Sequence, residues 1–314
     1  MARGRALIGP GAFFGLASAF SWGIGDFCGG LVSRWSSVLS AMLVSQGLGF
    51  AAMAAILGIV GEPAPTQDAV IWASLAGVSG VVGLWFFYFA LARGTMGVVA
   101  PLAALVGAGV PVLVAVANGE QLSPGRLLGI GLALLAVILI SVPGPVSSDG
   151  ERRSRRADLA DMPYAVISGL GFAGFFIFVD IASANGATWW PLTIVRAAGL
   201  ALVAVAIIWA TARAKGADLP ARLRFTLGVD RMRAHGRGLT ALLPLLLLTG
   251  IGDVGGNVFF LLASHSDALS VAVVLASLYP VVTTLLAVLI LRERLSRIQL
   301  LGVILAMASV PLLR

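Results

Sequence analysis

The 314-residue chain is 59% apolar and only 11% charged, less than half the charged share of an ordinary globular domain. A soluble fold so poor in charge cannot cover its own surface, which excludes a pair of water-soluble domains and makes lipid the main solvent. The net charge of +7, from 21 basic and 14 acidic side chains, falls in short stretches between long apolar runs. That is how a membrane protein places charge, and it is not the clustered basic face that a nucleic-acid partner needs.

Taken in chain order, ten apolar runs cover 9–32, 38–60, 69–92, 96–117, 125–143, 162–184, 189–211, 240–264, 268–290 and 297–313. Each approaches the roughly 20 residues that cross a ~30 Å hydrocarbon core. Most are apolar all round the helix, as expected of membrane spans. The first run begins like a signal peptide, with Arg3, Arg5 and then Ala17-Ser18-Ala19, but its apolar character continues through Val32, which suits a retained span. The fourth run contains Pro101 and Pro111, and the ninth contains Tyr279 and Pro280. These prolines remove backbone donors, so kinks are expected that either shape a cavity or serve packing.

Two connections are hydrophilic. Residues 147–161 hold Arg152, Arg153, Arg155 and Arg156 and read as an exposed linker between halves at 1–146 and 162–314. Residues 211–238 carry seven basic residues with Leu219, Leu223 and Leu227 at four-residue spacing. This is either a surface amphipathic helix or a solvated basic loop.

The chain also contains its own copy. Shifted by 173 residues, 77–137 align with 250–310 without a gap, and 20 of 61 positions are identical. Apolar composition does not explain the paired Glu120/Glu293 and Ser123/Ser296 in one register, so this is a duplication. Further back, an offset of 154 pairs Gly15-Leu16 with Gly169-Leu170 and Asp26 with Asp180. Each copy then has five spans. Because five is odd, the second copy enters the membrane upside down, giving an all-α, polytopic membrane protein of ten transmembrane helices in two inverted five-helix repeats.

This organisation, and the stretches 89–137 and 262–310 above all, resemble the EamA-like branch of the drug/metabolite transporter superfamily. The telling features are a helix ending at Gly119-Glu120 or Arg292-Glu293, then a Leu-Ser turn, then Leu128-Gly129 or Leu301-Gly302. The resemblance implies secondary transport of small organic solutes, often export of amino acids or other metabolites, from a cavity between the repeats. It also implies a proline in the fourth span, kept as Pro280 and replaced by Gly107 in the first copy. An arginine in the second span is kept as Arg196, where the first copy has Gln46.

Ionisable groups inside spans cost several kcal/mol unless paired or wet, so each is a functional candidate. Asp26, Asp180, Arg196 and Asp253 are these groups. Asp253 and Asn257 lie one turn apart on one helix face. With Arg196, Asp253 either contacts a zwitterionic or cationic solute, carries a coupling proton, or forms an ion pair that locks helices. Trp22 and Phe176 precede Asp26 and Asp180 by one turn, so each ring and carboxylate can wall an amine pocket or serve as an interfacial group. Gln46 and the Tyr279 hydroxyl complete the substrate-binding set.

Glu120 and Glu293 read as turn builders beside helix caps at Ser123-Pro124 and Ser296. Residues 250–255 match G-x-G-x-x-G by accident, since that pattern needs a strand before its helix. Gly252 and Gly256, like Gly125 and Gly129, are spaced for close helix packing. With Cys28 as the single cysteine and only two histidines, His235 and His265, no disulfide, metal site or cofactor is expected.

The expected protein is therefore a secondary transporter and not an enzyme: a cell-membrane, multi-pass exporter of amino acids or amines by alternating access, as a monomer or homodimer among lipids. Proton coupling fits the buried acids. A nucleotide-sugar or phosphorylated-metabolite exchanger would want more cations than Arg196, and a non-transporting scaffold or intramembrane enzyme lacks a supporting motif. Basic residues divide four against sixteen between the two sides, which places both termini outside, whereas the resemblance places them inside. The orientation stays open.

Overall fold

The computed structural model describes residues 9–92, 96–140, 155–214, 218–234, 239–291 and 296–313. Among these residues the chain is helical, without a strand. In the first half, α1 spans Pro10–Trp35, α2 Val38–Val60, α3 Gln67–Ala92, α4 Met96–Ala117 and α5 Pro124–Ile140. In the second half, α6 spans Arg155–Ala182, α7 Trp189–Arg213, α8 Leu219–Thr226, α9 Val229–Ala234, α10 Leu239–Ser266, α11 Leu269–Ala276, α12 Tyr279–Leu291 and α13 Arg297–Ser309, followed by a 3-10 turn at Val310–Leu312. Among the described residues, six segments are long and apolar enough to cross a membrane: Val38–Val60, Gln67–Phe89, Pro163–Ala182, Trp189–Arg213, Ala241–Ser266 and Leu269–Ile290. Shorter apolar helices cover Leu102–Ala117, Pro124–Ile140 and Arg297–Leu313.

Local sequence sets the helix ends. Ser37 and Ser40 form a capping box at the start of α2, and Gly61 closes that helix in the left-handed region at φ 67°, where glycine has no Cβ penalty. Ser123 accepts from the Arg126 amide at 3.3 Å with Pro124 opening α5, and Ser296 forms a capping box with Gln299 on α13. Both caps stand where the Leu-Ser motif put them. Three expectations change. The ninth run is not one helix but α11 and α12, broken at Ser277-Leu278 just before Pro280, which cannot donate to the carbonyl one turn earlier. Residues 155–161, read as linker, are the first turns of α6. The basic loop contains two short helices; Leu219 and Phe225 of α8 are exposed, while Leu227 lies beyond its end and accepts from the Ser36 hydroxyl at 3.2 Å.

The halves interlock instead of lying side by side. α1 packs along α10 and α6 packs along α3, each first helix against the opposite half's third. α2 meets α7 and α5 meets α13. The pairing is two-fold in detail. A Cβ on Gly77 would touch Ala198, and one on Gly250 would touch Leu48; one on Gly129 would touch Leu313, and one on Gly302 would touch Ile140. These glycines let backbones approach closely, which drives helix association in lipid where burial alone gains little. Within the G-x-G-x-x-G run, Gly252 faces the backbone of Ser21 and Gly25, and the neighbouring Gly256 faces the Trp22 ring. That run is continuous helix, so packing is its role.

The same contacts correct one register. Ser18 donates to the Gly256 carbonyl at 2.8 Å, while Ser168 lies against Gly83, the repeat partner of Gly256. Gly25 abuts Asp253, while Phe175 abuts Gly80, the partner of Asp253. α1 therefore superposes on α6 at an offset of 150, not 154. Trp22 matches Phe172, and Asp26 matches Phe176, not Asp180. A one-turn slip keeps every residue on nearly the same helix face, which is why the wrong register also paired similar residues. Ala17-Ser18-Ala19, the signal-like triplet, lies inside α1, where Ser18 is fully buried.

Candidate functional site

A cavity of about 90 Å³ lies between the halves, lined by α1, α2, α3, α4, α6, α7, α10 and the α11–α12 break. That is several times the space one water requires. Its polar groups converge from elements fixed by the interlocked packing. On α7, Arg196 is 2% exposed; its Nη1 donates to Asp253 Oδ2 at 2.5 Å, and the Ser45 hydroxyl donates to the same oxygen at 2.6 Å. Glycine makes this possible: a Cβ on Gly49 would stand 3.0 Å from Arg196 Cδ. Two donors on one carboxylate oxygen offset part of the cost of burying the charges. Arg196 Nη2 has no hydrogen-bond partner among the described residues.

One turn from Asp253, the Asn257 side-chain oxygen accepts from Trp22 Nε1 at 3.1 Å, tying α10 to α1. One turn further along α1, Asp26 reaches the cavity and accepts from the Tyr88 hydroxyl at 3.4 Å, a long and therefore weak bond for a carboxylate. The Trp22 ring stacks on Phe260 and meets Phe176 edge-on, with centroids 6.1 and 5.7 Å apart. Tyr279 stands at the start of α12; it is 9% exposed, and its hydroxyl has no partner among the described residues. Helix interruption and a free hydroxyl thus meet at the cavity wall. Gln46 lines the wall on α2, against Gly199, as its repeat partner Arg196 lies against Gly49.

Eight of the nine residues singled out in the sequence line this one cavity: Trp22, Asp26, Gln46, Phe176, Arg196, Asp253, Asn257 and Tyr279. Asp180 does not. It lies one turn beyond Phe176, in a separate polar pocket with Ser183, Ser264 and His265, so Asp26 and Asp180 do not form one amine-binding wall. Glu120 is more than a turn builder: it accepts from the Ser270 hydroxyl and, at 3.5 Å, from the Ser270 amide, capping α11 of the other half. Glu293 lies outside the described residues. Tyr88 and Ser45 were not singled out, although the repeat offered a signal for Tyr88, which breaks the Phe-Phe match where the second copy has Leu261. No group of three or more metal-binding side chains occurs among the described residues.

No curated protein matches this chain. Solved structures do: one crystal structure superposes with a TM-score of 0.70 over 96% of this chain and 97% of its own, at 16% identity. That likeness concerns the fold alone. The sequence model of one family fits twice, over residues 9–142 and 161–314, once on each of the interlocked halves that share the cavity. The chain is accordingly a multi-pass membrane protein belonging to the EamA-like transporter family.

Proposed function

We propose that this protein is a secondary-active exporter in the cell membrane, moving small amine-bearing metabolites such as amino acids or amines by alternating access. In this reading the chain crosses the membrane ten times as two inverted five-helix repeats, with α11 and α12 sharing one crossing. The repeats rock about the cavity. The observation that carries the reading is Asp26: a half-buried carboxylate with one weak protein partner among the described residues, at the cavity wall beside the Trp22 and Phe176 rings. A carboxylate and ring faces together attract an ammonium group. Arg196 Nη2 and the Tyr279 hydroxyl, without partners among the described residues, supply donors for the solute's acceptors, such as a carboxylate. Arg196 is the one cation lining the cavity among the described residues, which disfavours phosphorylated cargo.

Asp253 is charge-paired with Arg196 and sits where solute and proton would compete, so coupling to protons runs through it. The test is counterflow of radiolabelled amines and amino acids in proteoliposomes. Asp26→Asn is expected to cut transport at least ~tenfold, the scale of one lost charge-assisted bond, with melting temperature little changed. Normal transport by Asp26→Asn would remove the amine-site reading. Asp253→Asn with an unaltered pH dependence would remove the proton role.

A further inference from the structure

The polar pocket around Asp180 lies beyond the central cavity on two helices at once, by one turn along α6 and two along α10. Along α6, Phe176 lines the cavity and Asp180 the outer pocket; along α10, Asn257 lines the cavity and Ser264 and His265 the outer pocket. Between them stand Phe176 and Phe260, with ring centroids 4.7 Å apart, 5% and 0% exposed, backed by the buried Val179, Ala263 and Val273. The outer pocket is lined by one carboxylate, Asp180. Asp180 faces the Ser264 hydroxyl and the His265 ring, with Glu120 close enough to add to its field. α6 and α10 both end beside it, at Ala182 and Ser266, and helix C-termini favour cations.

We infer that the Asp180–Ser264–His265 pocket is an outer station for the ammonium group of an organic cation, and that the Phe176–Phe260 ring pair is the closed gate between that station and the central cavity. This rests on the reading of a cation-carrying cavity. The rings exclude water from the path, and the station concentrates cations at the mouth that opens when the rings part. About 6 Å of helix separates Phe176 from Asp180, so the station stands one turn outside the rings.

The test needs no known solute. In full-length protein lacking Cys28 (Cys28→Ala), Ser264→Cys reports on the station and Ser277→Cys on the cavity. Membrane-impermeant methanethiosulfonates carrying a trimethylammonium or a sulfonate are applied from each side of proteoliposomes, with rates normalised to a free thiol. Ser264→Cys is expected to react from one side only, with a cation preference of about tenfold, within the range of electrostatic steering, that collapses in Asp180→Asn. From that side Ser277→Cys is expected to react at least ~tenfold faster once Phe176→Ala is added; Phe176→Leu, which keeps more apolar volume, replaces it if the alanine variant does not fold. Rapid labelling of Ser277→Cys from that side with both rings intact would overturn the gate, and a charge preference indifferent to Asp180→Asn would overturn the station. Failure of the amine-site reading is distinguishable, because it leaves this labelling pattern intact while Asp26→Asn transports normally.

Discussion

At the cavity, the second half carries Asp253, Asn257, Ser277 and Tyr279 where the first half carries Gly80, Leu84, Ala104 and Val106. In the first helices the bias reverses: Trp22 and Asp26 of α1 match Phe172 and Phe176 of α6. The polarity therefore follows the packed pair and not the repeat. Because α1 lies along α10 and against α11–α12, these polar departures gather on one wall, and the cavity-lining residues of α6, α3 and α4 form an apolar one. The backbone follows the same division, since α4 runs unbroken through Gly107 while its counterpart breaks before Pro280. Duplication supplied a symmetric scaffold; substitution along one interlocked bundle supplied the chemistry.

The strongest test of this asymmetry is at Arg196 and Gln46, matched residues on α7 and α2. Arg196→Leu leaves the part-buried Asp253 carboxylate with the Ser45 hydroxyl but without its cation, which costs about 1.5–3 kcal/mol. Gln46→Leu removes no charge partner and is expected to cost less than half of that. Thermal unfolding in detergent compares the two, and Arg196→Leu combined with Asp253→Leu is expected to recover much of the loss. Equal effects of the two single changes would mean that the polar wall is no more committed than the apolar one.

Next in size is the glycine pair that makes room for these side chains. A Cβ at Gly49 would stand 3.0 Å from Arg196 Cδ, and one at Gly199 2.6 Å from Gln46 Oε1. By distance alone the second is worse. However, Gln46 has a flexible end that can swing aside, whereas Arg196 is pinned by Asp253. Gly49→Ala is expected to cost about 1–3 kcal/mol and to exceed Gly199→Ala in the same melting assay; the reverse order would show that the ion pair is the softer of the two.

Smaller still is Tyr279→Phe. Its hydroxyl is buried without a partner among the described residues, so removing it is expected to leave the melting temperature unchanged or slightly raised. If a solute uses that hydroxyl, KM rises about five- to tenfold, the worth of one hydrogen bond of roughly 1–1.5 kcal/mol. A fall in stability with unchanged KM would assign the hydroxyl to the scaffold.

Much of this was legible in the sequence because the duplication is written there. The 173-residue offset gave the third to fifth helices of each half, and the mid-span charges gave the cavity's polar groups. The register of α1 on α6 was not legible: at the true offset only small residues such as Ser18/Ser168 and Ser33/Ser183 agree, because small size is what the crossings require and side-chain identity is not. The place of Asp180 went wrong for the same reason. Ser45 was missed since a lone hydroxyl in an apolar run carries no spacing signal; Tyr88 departs from Leu261 in the repeat, but only the partner carboxylate, distant in sequence, gives either hydroxyl its meaning. The α11–α12 break was foreshadowed by Pro280, but Pro101 and Pro111 gave the same signal in α4, which does not break.

The least costly contacts lie at the helix ends, where the two halves touch outside the cavity. Arg126 of α5 donates to Asp267, between α10 and α11, at 3.0 Å, with both side chains more than one-fifth exposed. Such a pair contributes less than about 1 kcal/mol and is screened by salt. Arg126→Ala is thus expected to lower the melting temperature by only a degree or two at low ionic strength and not at all near ~1 M salt. The neighbouring Glu120 is different, because its carboxylate serves the amide end of α11 as well as the Ser270 hydroxyl; Glu120→Gln keeps the shape, loses the charge–dipole term of about 0.3–1 kcal/mol, and is expected to exceed Arg126→Ala slightly at low salt. A large, salt-insensitive loss on removing Arg126 would mean that the end contacts are desolvated in the membrane, and that the commitment of the two halves to each other extends well beyond the polar wall.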